Sequence, residues 1–137
     1  MTSKEVILDT NAVLRFITGD DAERWLKVSD LLDTNDCIVP IEVIAEAVYN
    51  LDKSYGHTRE LIAEEIKDFI SIKENLVFDE NVVRYGCNVF ASTSLDFVDC
   101  ILVGYANVKG NPIFSFDDPL NKKLGNKAHQ NIRRLGP

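Results

Sequence analysis

A chain of 137 residues is of single-domain length, able to bury roughly two-thirds of its unfolded surface. With 45% hydrophobic and 27% charged residues it has the make-up of an ordinary globule. No apolar run approaches the ~20 residues of a membrane helix, and the polar start Met1-Thr2-Ser3-Lys4-Glu5 is no signal peptide, so a cytoplasmic protein is expected. The odd, scattered cysteines Cys37, Cys87 and Cys100 exclude a disulfide framework and look like small core residues. The isolated histidines His57 and His129 exclude a zinc centre, so any metal has to be held by oxygen.

The net charge of −7 is uneven. No Asp or Glu follows Asp118, whereas Lys122, Lys123, Lys127, Arg133 and Arg134 do. A basic arm beside an acidic body suits a phosphate backbone on one side and cations on the other. A solvated terminus that only aids solubility is the plainer reading of the same five charges.

In chain order the pattern alternates between strand and helix. Val6-Ile7-Leu8 is a continuous apolar run, expected as a strand buried on both faces of a parallel sheet. Asp9-Thr10-Asn11 follows it. Asp9 therefore stands either at the carboxyl end of a central strand, where ligands gather in open α/β sheets, or as the N-cap of the next helix. That helix runs over about 11–17 and is closed by Thr18-Gly19. Asp20 or Asp21 caps a second helix with the stripe Ala22, Trp25, Leu26, Ser29 and Leu32, in which Trp25 reads as core rather than as a base-stacking platform. Cys37-Ile38-Val39 is a short buried strand ended by Pro40.

The helix from about Pro40 to Leu51 buries Ile41, Ile44, Val48 and Leu51, and Glu42, Glu46 and Asn50 share another face. Glu42 lies in the first turn, where the helix dipole already explains a carboxylate. Glu46, between Ala45 and Ala47, is the better ligand candidate. A polar loop over 52–57 leads to a helix from about Thr58 to Ile72 that buries Leu61, Ile62, Ile66, Phe69 and Ile70. Leu76-Val77-Phe78 is expected as a strand, followed through Asp79 by a helix to about Phe90. Thr93-Ser94-Leu95-Asp96 has the form of a capping box, which gives Asp96 a structural role as third helical residue. Asp99, ahead of Cys100-Ile101-Leu102, has no such explanation. This helix reaches Gly110 and is stopped by Asn111-Pro112. A last strand, Ile113-Phe114, delivers Ser115-Phe116-Asp117-Asp118.

Acids thus recur at strand ends and helix faces: Asp9, Glu46, Asp99 or Asp96, and Asp117, with Asp118 a competitor for the last place. Two carboxylates ~4 Å apart repel by roughly 4 kcal/mol at an effective dielectric of 20, so a convergent set needs protons or a divalent cation. Ligation by oxygen alone selects Mg2+ or Mn2+, and such a site beside a basic edge suits phosphodiester hydrolysis.

These stretches together resemble the PIN-domain ribonucleases, and most closely the VapC-type toxins of bacterial toxin-antitoxin pairs. The resemblance spans nearly the whole chain. It rests on Leu8-Asp9-Thr10-Asn11 with Val13-Leu14-Arg15 and Gly19-Asp20-Asp21, on Ala45-Glu46-Ala47-Val48-Tyr49, on Asp96-Phe97-Val98-Asp99 and on Ser115-Phe116-Asp117. It implies a single α/β domain over 1–137, a three-layer α/β/α arrangement around a central parallel sheet, with a basic tail over about 119–137. By the same resemblance Asp9, Glu46, Asp99 and Asp117 are the metal-binding and catalytic acids, Asn11, Ser115 and Asp96 support them, and Mg2+ or Mn2+ is the cofactor. An RNA substrate, a homodimer and a cognate antitoxin are implied too, and the charge asymmetry makes Lys122, Lys123, Lys127, Arg133 and Arg134 the residues expected to hold the RNA phosphates. Cys100 stands where the pattern has a small Ala. Two other readings fit less of the chain: a non-catalytic RNA-binding PIN-like module, and a Mg2+-dependent aspartate-nucleophile phosphatase, whose second Asp is replaced by Asn11.

Overall fold

Helices dominate the computed structural model, which describes residues 4–129. Arg133 and Arg134 lie outside the described residues. The chain divides into two compact units, Met1–Glu80 and Asn81–Pro137.

The first unit is built on a two-stranded parallel sheet of β1 (Val6–Ile7) and β2 (Cys37–Ile38), with Val6 opposite Cys37 and Ile7 opposite Ile38. Backbone bonds from Val6 N to Asp36 O, 2.8 Å, and from Leu8 N to Ile38 O, 3.1 Å, extend the ladder at both ends. The first strand is not buried on both faces as its composition predicts. Leu8 is buried, but Ile7 is 65% exposed, so β1 is open at Ile7, whereas Cys37 and Ile38 of β2 are both buried. The expected strand over 76–78 is absent for a local reason. Asn75 and Asp79 on either side of it have φ of 60° and 51°, the left-handed region that Asn and Asp tolerate best, and they bend the segment into turns. Only Leu76 reaches the sheet, its carbonyl accepting from Val39 N at 2.7 Å.

Helices α1 (Thr10–Thr18), α2 (Ala22–Thr34), α3 (Ile41–Lys53) and α4 (Arg59–Ser71) complete this unit, α1 packing on α2 and α3, and α3 on α4. Gly19 ends α1 at φ 62°, a conformation its missing Cβ permits, and donates to Arg15 O. Asp20 beside it accepts from Arg15 at 2.6 Å, from Thr18 at 2.9 Å and from Tyr55 at 3.1 Å, and the Arg15 bond holds its carboxyl below the ordinary carboxylate value. Phe16 stacks on Trp25 with ring centres 5.4 Å apart and leans on Phe69 at 5.8 Å, so Trp25 is stacked on a neighbour but half-buried rather than core. Three expected core positions are not core. Ala22 and Leu26 face outward from α2, which buries Val28 beside the expected Leu32, and Leu61 lies on the open side of α4 beside buried Ile62 and Ala63.

In the second unit α5 (Glu80–Ser92) and α6 (Phe97–Lys109) meet closely at two glycines. A Cβ on Gly104 would stand 2.6 Å from the Val82 carbonyl oxygen, and one on Gly86 2.8 Å from Ile101 Cδ1. Cys87 and Cys100 are buried, unbridged packing residues. The strand expected at Ile113-Phe114 shrinks to one parallel bridge between Ile113 and Ala128, because the chain turns at Ser115 into an additional helix, α7 (Asp118–Leu124). That helix packs on α6 and buries Leu120 and Leu124.

Replacing Gly104 by Ala gains about 1 kcal/mol of helix propensity but forces α5 and α6 apart at a backbone oxygen, an overpacking cost of about 1–3 kcal/mol. Net destabilisation is expected in urea or thermal unfolding. A Gly104→Ala protein as stable as the parent would show that the helices have room to separate.

Candidate active site

Each acid singled out in the sequence has a definite local setting. In the first unit Asp9 is the N-cap of α1: its backbone is extended, φ −85° and ψ 175°, and Oδ1 accepts from Ala12 N at 2.9 Å. The cap follows from the chain order, since the last residue of an apolar run turns directly into a helix whose first donors have no intrahelical partner. Capping and ligation are compatible. The bond uses Oδ1, and the exposed carboxylate is thereby fixed in direction. Asn11 is exposed in the first turn of the same helix. Glu46 is exposed in the middle of α3, one turn from exposed Glu42, and its backbone carbonyl accepts from Asn50 Nδ2 at 2.9 Å. Since α1 packs on α3, the helices carrying Asp9 and Glu46 are neighbours.

The second unit repeats the first device. Asp117 is the N-cap of α7, Oδ1 accepting from Leu120 N at 3.0 Å, and its own N–H donates to Ser115 Oγ at 2.9 Å. Asn121 Nδ2 donates to Ser115 O at 2.8 Å, which ties the turn onto the helix. Ser115 thus supports Asp117 in the literal sense. Asp118 is the first residue of α7 and exposed.

The expected capping box at Thr93 does not form. Thr93 Oγ1 donates back to Val89 O at 2.8 Å and accepts from Leu95 N at 3.3 Å, so its hydroxyl finishes the preceding helix rather than starting the next. α6 begins three residues later, with Asp96 at the N-cap making no side-chain capping bond. Asp99 is then the third helical residue, where the dipole favours a carboxylate by about 0.3–1 kcal/mol. It therefore has a favourable helix position that its sequence setting does not reveal. Its other surroundings nevertheless disfavour the charge. Burial first, then the charges of Asp117 and Asp96, push the Asp99 carboxyl above its ordinary value.

Of the candidate acids, Asp99 is the one on which the charges of Asp117 and Asp96 bear. Among the described residues no three His, Cys, Asp or Glu side chains are grouped as a ready-made metal cage. Mg2+ does not require one, since it keeps several waters and is usually bound through one or two carboxylates together with substrate phosphate. The donor set, all carboxylate oxygen with mutually repelling charge, fits such a cation.

Of the basic residues, Lys122 and Lys123 are exposed in the last turn of α7, where the dipole alone would favour them, and Lys127 is half-buried in a short 3-10 turn, Gly125–Lys127. Phe116, read in the sequence as part of an apolar run, is 84% exposed. The signal that could have set it apart is its place between Ser115 and Asp117, both polar.

Because the folded protein raises the Asp99 carboxyl above its unfolded value, ionising it opposes folding, and this cost grows as pH rises through the ordinary carboxylate range near ~4. Asp99→Asn is expected to melt at the same or a higher temperature than the parent at pH 7. Its advantage should vanish toward pH 3, where both side chains are neutral. Thermal melts across this range check it, and a variant less stable at pH 7 than at pH 3 relative to the parent would contradict the assignment.

Among the described residues no helix is long and apolar enough to cross a membrane. No curated protein and no solved structure gives a significant match to the chain. The PIN domain family model does, over residues 6–123, a span that takes in Asp9, Glu46, Asp99, Asp117 and the lysines of α7. PIN domains are commonly nucleases and generally use divalent metal ions. A mostly helical chain with a small parallel sheet, matched from its first strand to the end of α7, is an α/β protein of nuclease-type fold and belongs to the PIN domain family.

Proposed function

We propose that this chain is a Mg2+- or Mn2+-dependent endoribonuclease acting in the cytoplasm as the toxin of a toxin-antitoxin pair, on the VapC pattern. The observation that carries the chemistry is the setting of Asp99, partly buried at the start of α6 and within reach of the charges of Asp117 and Asp96, in a chain of this family. Asp99 and Asp117 would hold the cation, and on the family resemblance alone Asp9 and Glu46 are assigned the same role. When bound, a divalent cation acidifies water and neutralises charge building on the phosphate. The chain's own part is to fix the carboxylates in direction. The caps at Ala12 N and Leu120 N orient Asp9 and Asp117, and Ser115 holds the turn before the second of them. Asn11 and Asp96 give polar support. Lys122, Lys123, Lys127, Arg133 and Arg134 hold RNA phosphates and so position the strand without reading its sequence.

Purified protein is expected to cleave members of an RNA panel with Mg2+ or Mn2+ and not in EDTA. Asp9→Asn, Asp99→Asn and Asp117→Asn should each lower the rate by roughly 100-fold or more. Asp96→Asn should retain partial activity. Cleavage that persists in EDTA sinks the metal role. Binding without cleavage would leave the non-catalytic RNA-binding module, and an aspartyl-phosphate would point to the phosphatase.

Neutralising the five basic residues should flatten the salt dependence of RNA binding, by up to about 0.7 in log-log slope for each single-strand phosphate that they neutralise. An unchanged slope returns them to the role of solvated charges. A homodimer is expected in sedimentation at micromolar concentration, and a cognate antitoxin is expected to suppress cleavage.

A further inference from the structure

Phe116 is the most exposed large hydrophobic side chain of the described residues, at 84%, and it stands directly before Asp117. Its ring is not loose. Phe114 meets it edge to face, with centres 5.2 Å apart and planes at 84°, and Phe114 is in turn braced by His129 at 6.3 Å and 70°. The backbone beneath is equally fixed, with the Ser115 carbonyl held by Asn121 and its hydroxyl by the Asp117 N–H. A supported, outward aromatic plane has no folding role that burial would give it. It is also a poor place for a phosphate, because Asp117 and Asp118 are the next two residues and repel one. Lys122 and Lys123 lie one turn or so along α7, about 6–7.5 Å from Asp118 along the axis at 1.5 Å per residue. The order along this short segment is therefore an aromatic face, then negative charge, then positive charge. An RNA strand offers the complement: a flat uncharged base on one side and a phosphate chain on the other.

We propose that Phe116, backed by Phe114, is a stacking subsite for one unpaired nucleobase of the RNA, with the adjoining phosphates reaching Lys122 and Lys123. The inference rests on the ribonuclease reading for its choice of ligand but not on turnover. An aromatic plane accepts any base, so this subsite selects unpaired over paired nucleotides rather than one sequence. Phe116 is a binding and positioning residue, placed beside an acid assigned to the reaction.

The test is equilibrium binding in EDTA, where no cleavage is expected, of a short single-stranded RNA carrying 2-aminopurine, whose fluorescence falls when it stacks. Parent protein is expected to quench it saturably and to bind the matching duplex more weakly. Phe116→Ala should bind the single strand about 5- to 150-fold more weakly, the range expected for loss of one base-aromatic stack, and should abolish the quenching. Phe116→Trp should keep both. Phe116→Leu, equally apolar but not planar, should behave like Ala, and all three should melt like the parent because the ring is exposed. Parent affinity in Ala or Leu, or no quenching by the parent, overturns the subsite. So does a Phe116→Ala protein whose only change is a smaller sedimenting species, which would make Phe116 a protein contact. A protein that passes this test yet never cleaves RNA loses the nuclease reading and keeps the stacking one. A metal-dependent nuclease indifferent to Phe116 does the opposite.

Discussion

The carboxylate at the head of a short helix is the interaction on which the rest of this molecule turns. Asp9 and Asp117 each end an apolar segment and begin a helix, and each gives Oδ1 to a backbone N–H three residues on. Such a cap contributes about 0.5–2 kcal/mol, enough to set where the helix begins and which way the chain leaves the strand or bridge before it. It also removes the rotational freedom of an exposed side chain. A metal ligand has to be held in place before the ion arrives. The cap does this as a by-product of ending one element and starting another. Asp21 on α2 makes the same bond with Arg24 N and carries no comparable setting, so the cap alone does not mark a site. What distinguishes Asp117 is the company of Asp99 and Asp96.

That company runs against stability. At the third position of α6 the helix dipole favours an ionised Asp99, yet burial and the two neighbouring charges together outweigh it and raise the carboxyl. A chain free to optimise its fold would place an amide or a cation there, and the charge that remains is of the kind found at functional sites. The surrounding packing is tight enough to hold the strain. Gly104 lets α6 approach the Val82 backbone of α5 to a distance a Cβ would not permit without a shift, so the helix that carries Asp99 is closely packed along its middle.

Six helices were legible in the sequence to within a few residues, because their stops and caps are chemically explicit: Gly19 and Gly110 at C-termini, Asp21 and Thr58 at N-termini, and apolar spacing of three and four between. Failures fall where one residue type serves two conformations. Leu76-Val77-Phe78 has strand composition, but Asn75 and Asp79 turn left-handed on either side of it. Thr93 has the spacing of a capping box, but the last turn of α5 claims its hydroxyl first. Ile7, Leu26 and Leu61 look like core by composition and are exposed, because periodicity identifies an apolar stripe and not how much of it a neighbour covers. α7 was hidden by its brevity, being seven residues with a proline in the first turn, too short to show a period. Of the candidate acids, Asp9 was legible as a possible cap and is one, whereas the local settings of Asp117, Asp96 and Asp99 were not. Asp99 and Asp96 exchange the structural explanations that their spacing gave them.

The polarity of α7 bears on how a polyanion can be handled at all. Its first residue and its cap are acids, its last turn holds two lysines, and the two ends are about one Debye length apart at physiological salt. A phosphate near the helix therefore feels both, and the sum is close to neutral without a cation. With a divalent cation at the acidic end the same helix becomes attractive along its whole length. Metal occupancy would then govern not only the reaction but which end of the helix a strand can approach. The dipole reinforces this arrangement, since acids at the N-terminus and lysines at the C-terminus are each in their favoured place. A fold that gains stability from this charge order can keep it whether or not substrate is present, so the site's polarity exists before binding and is not induced by it.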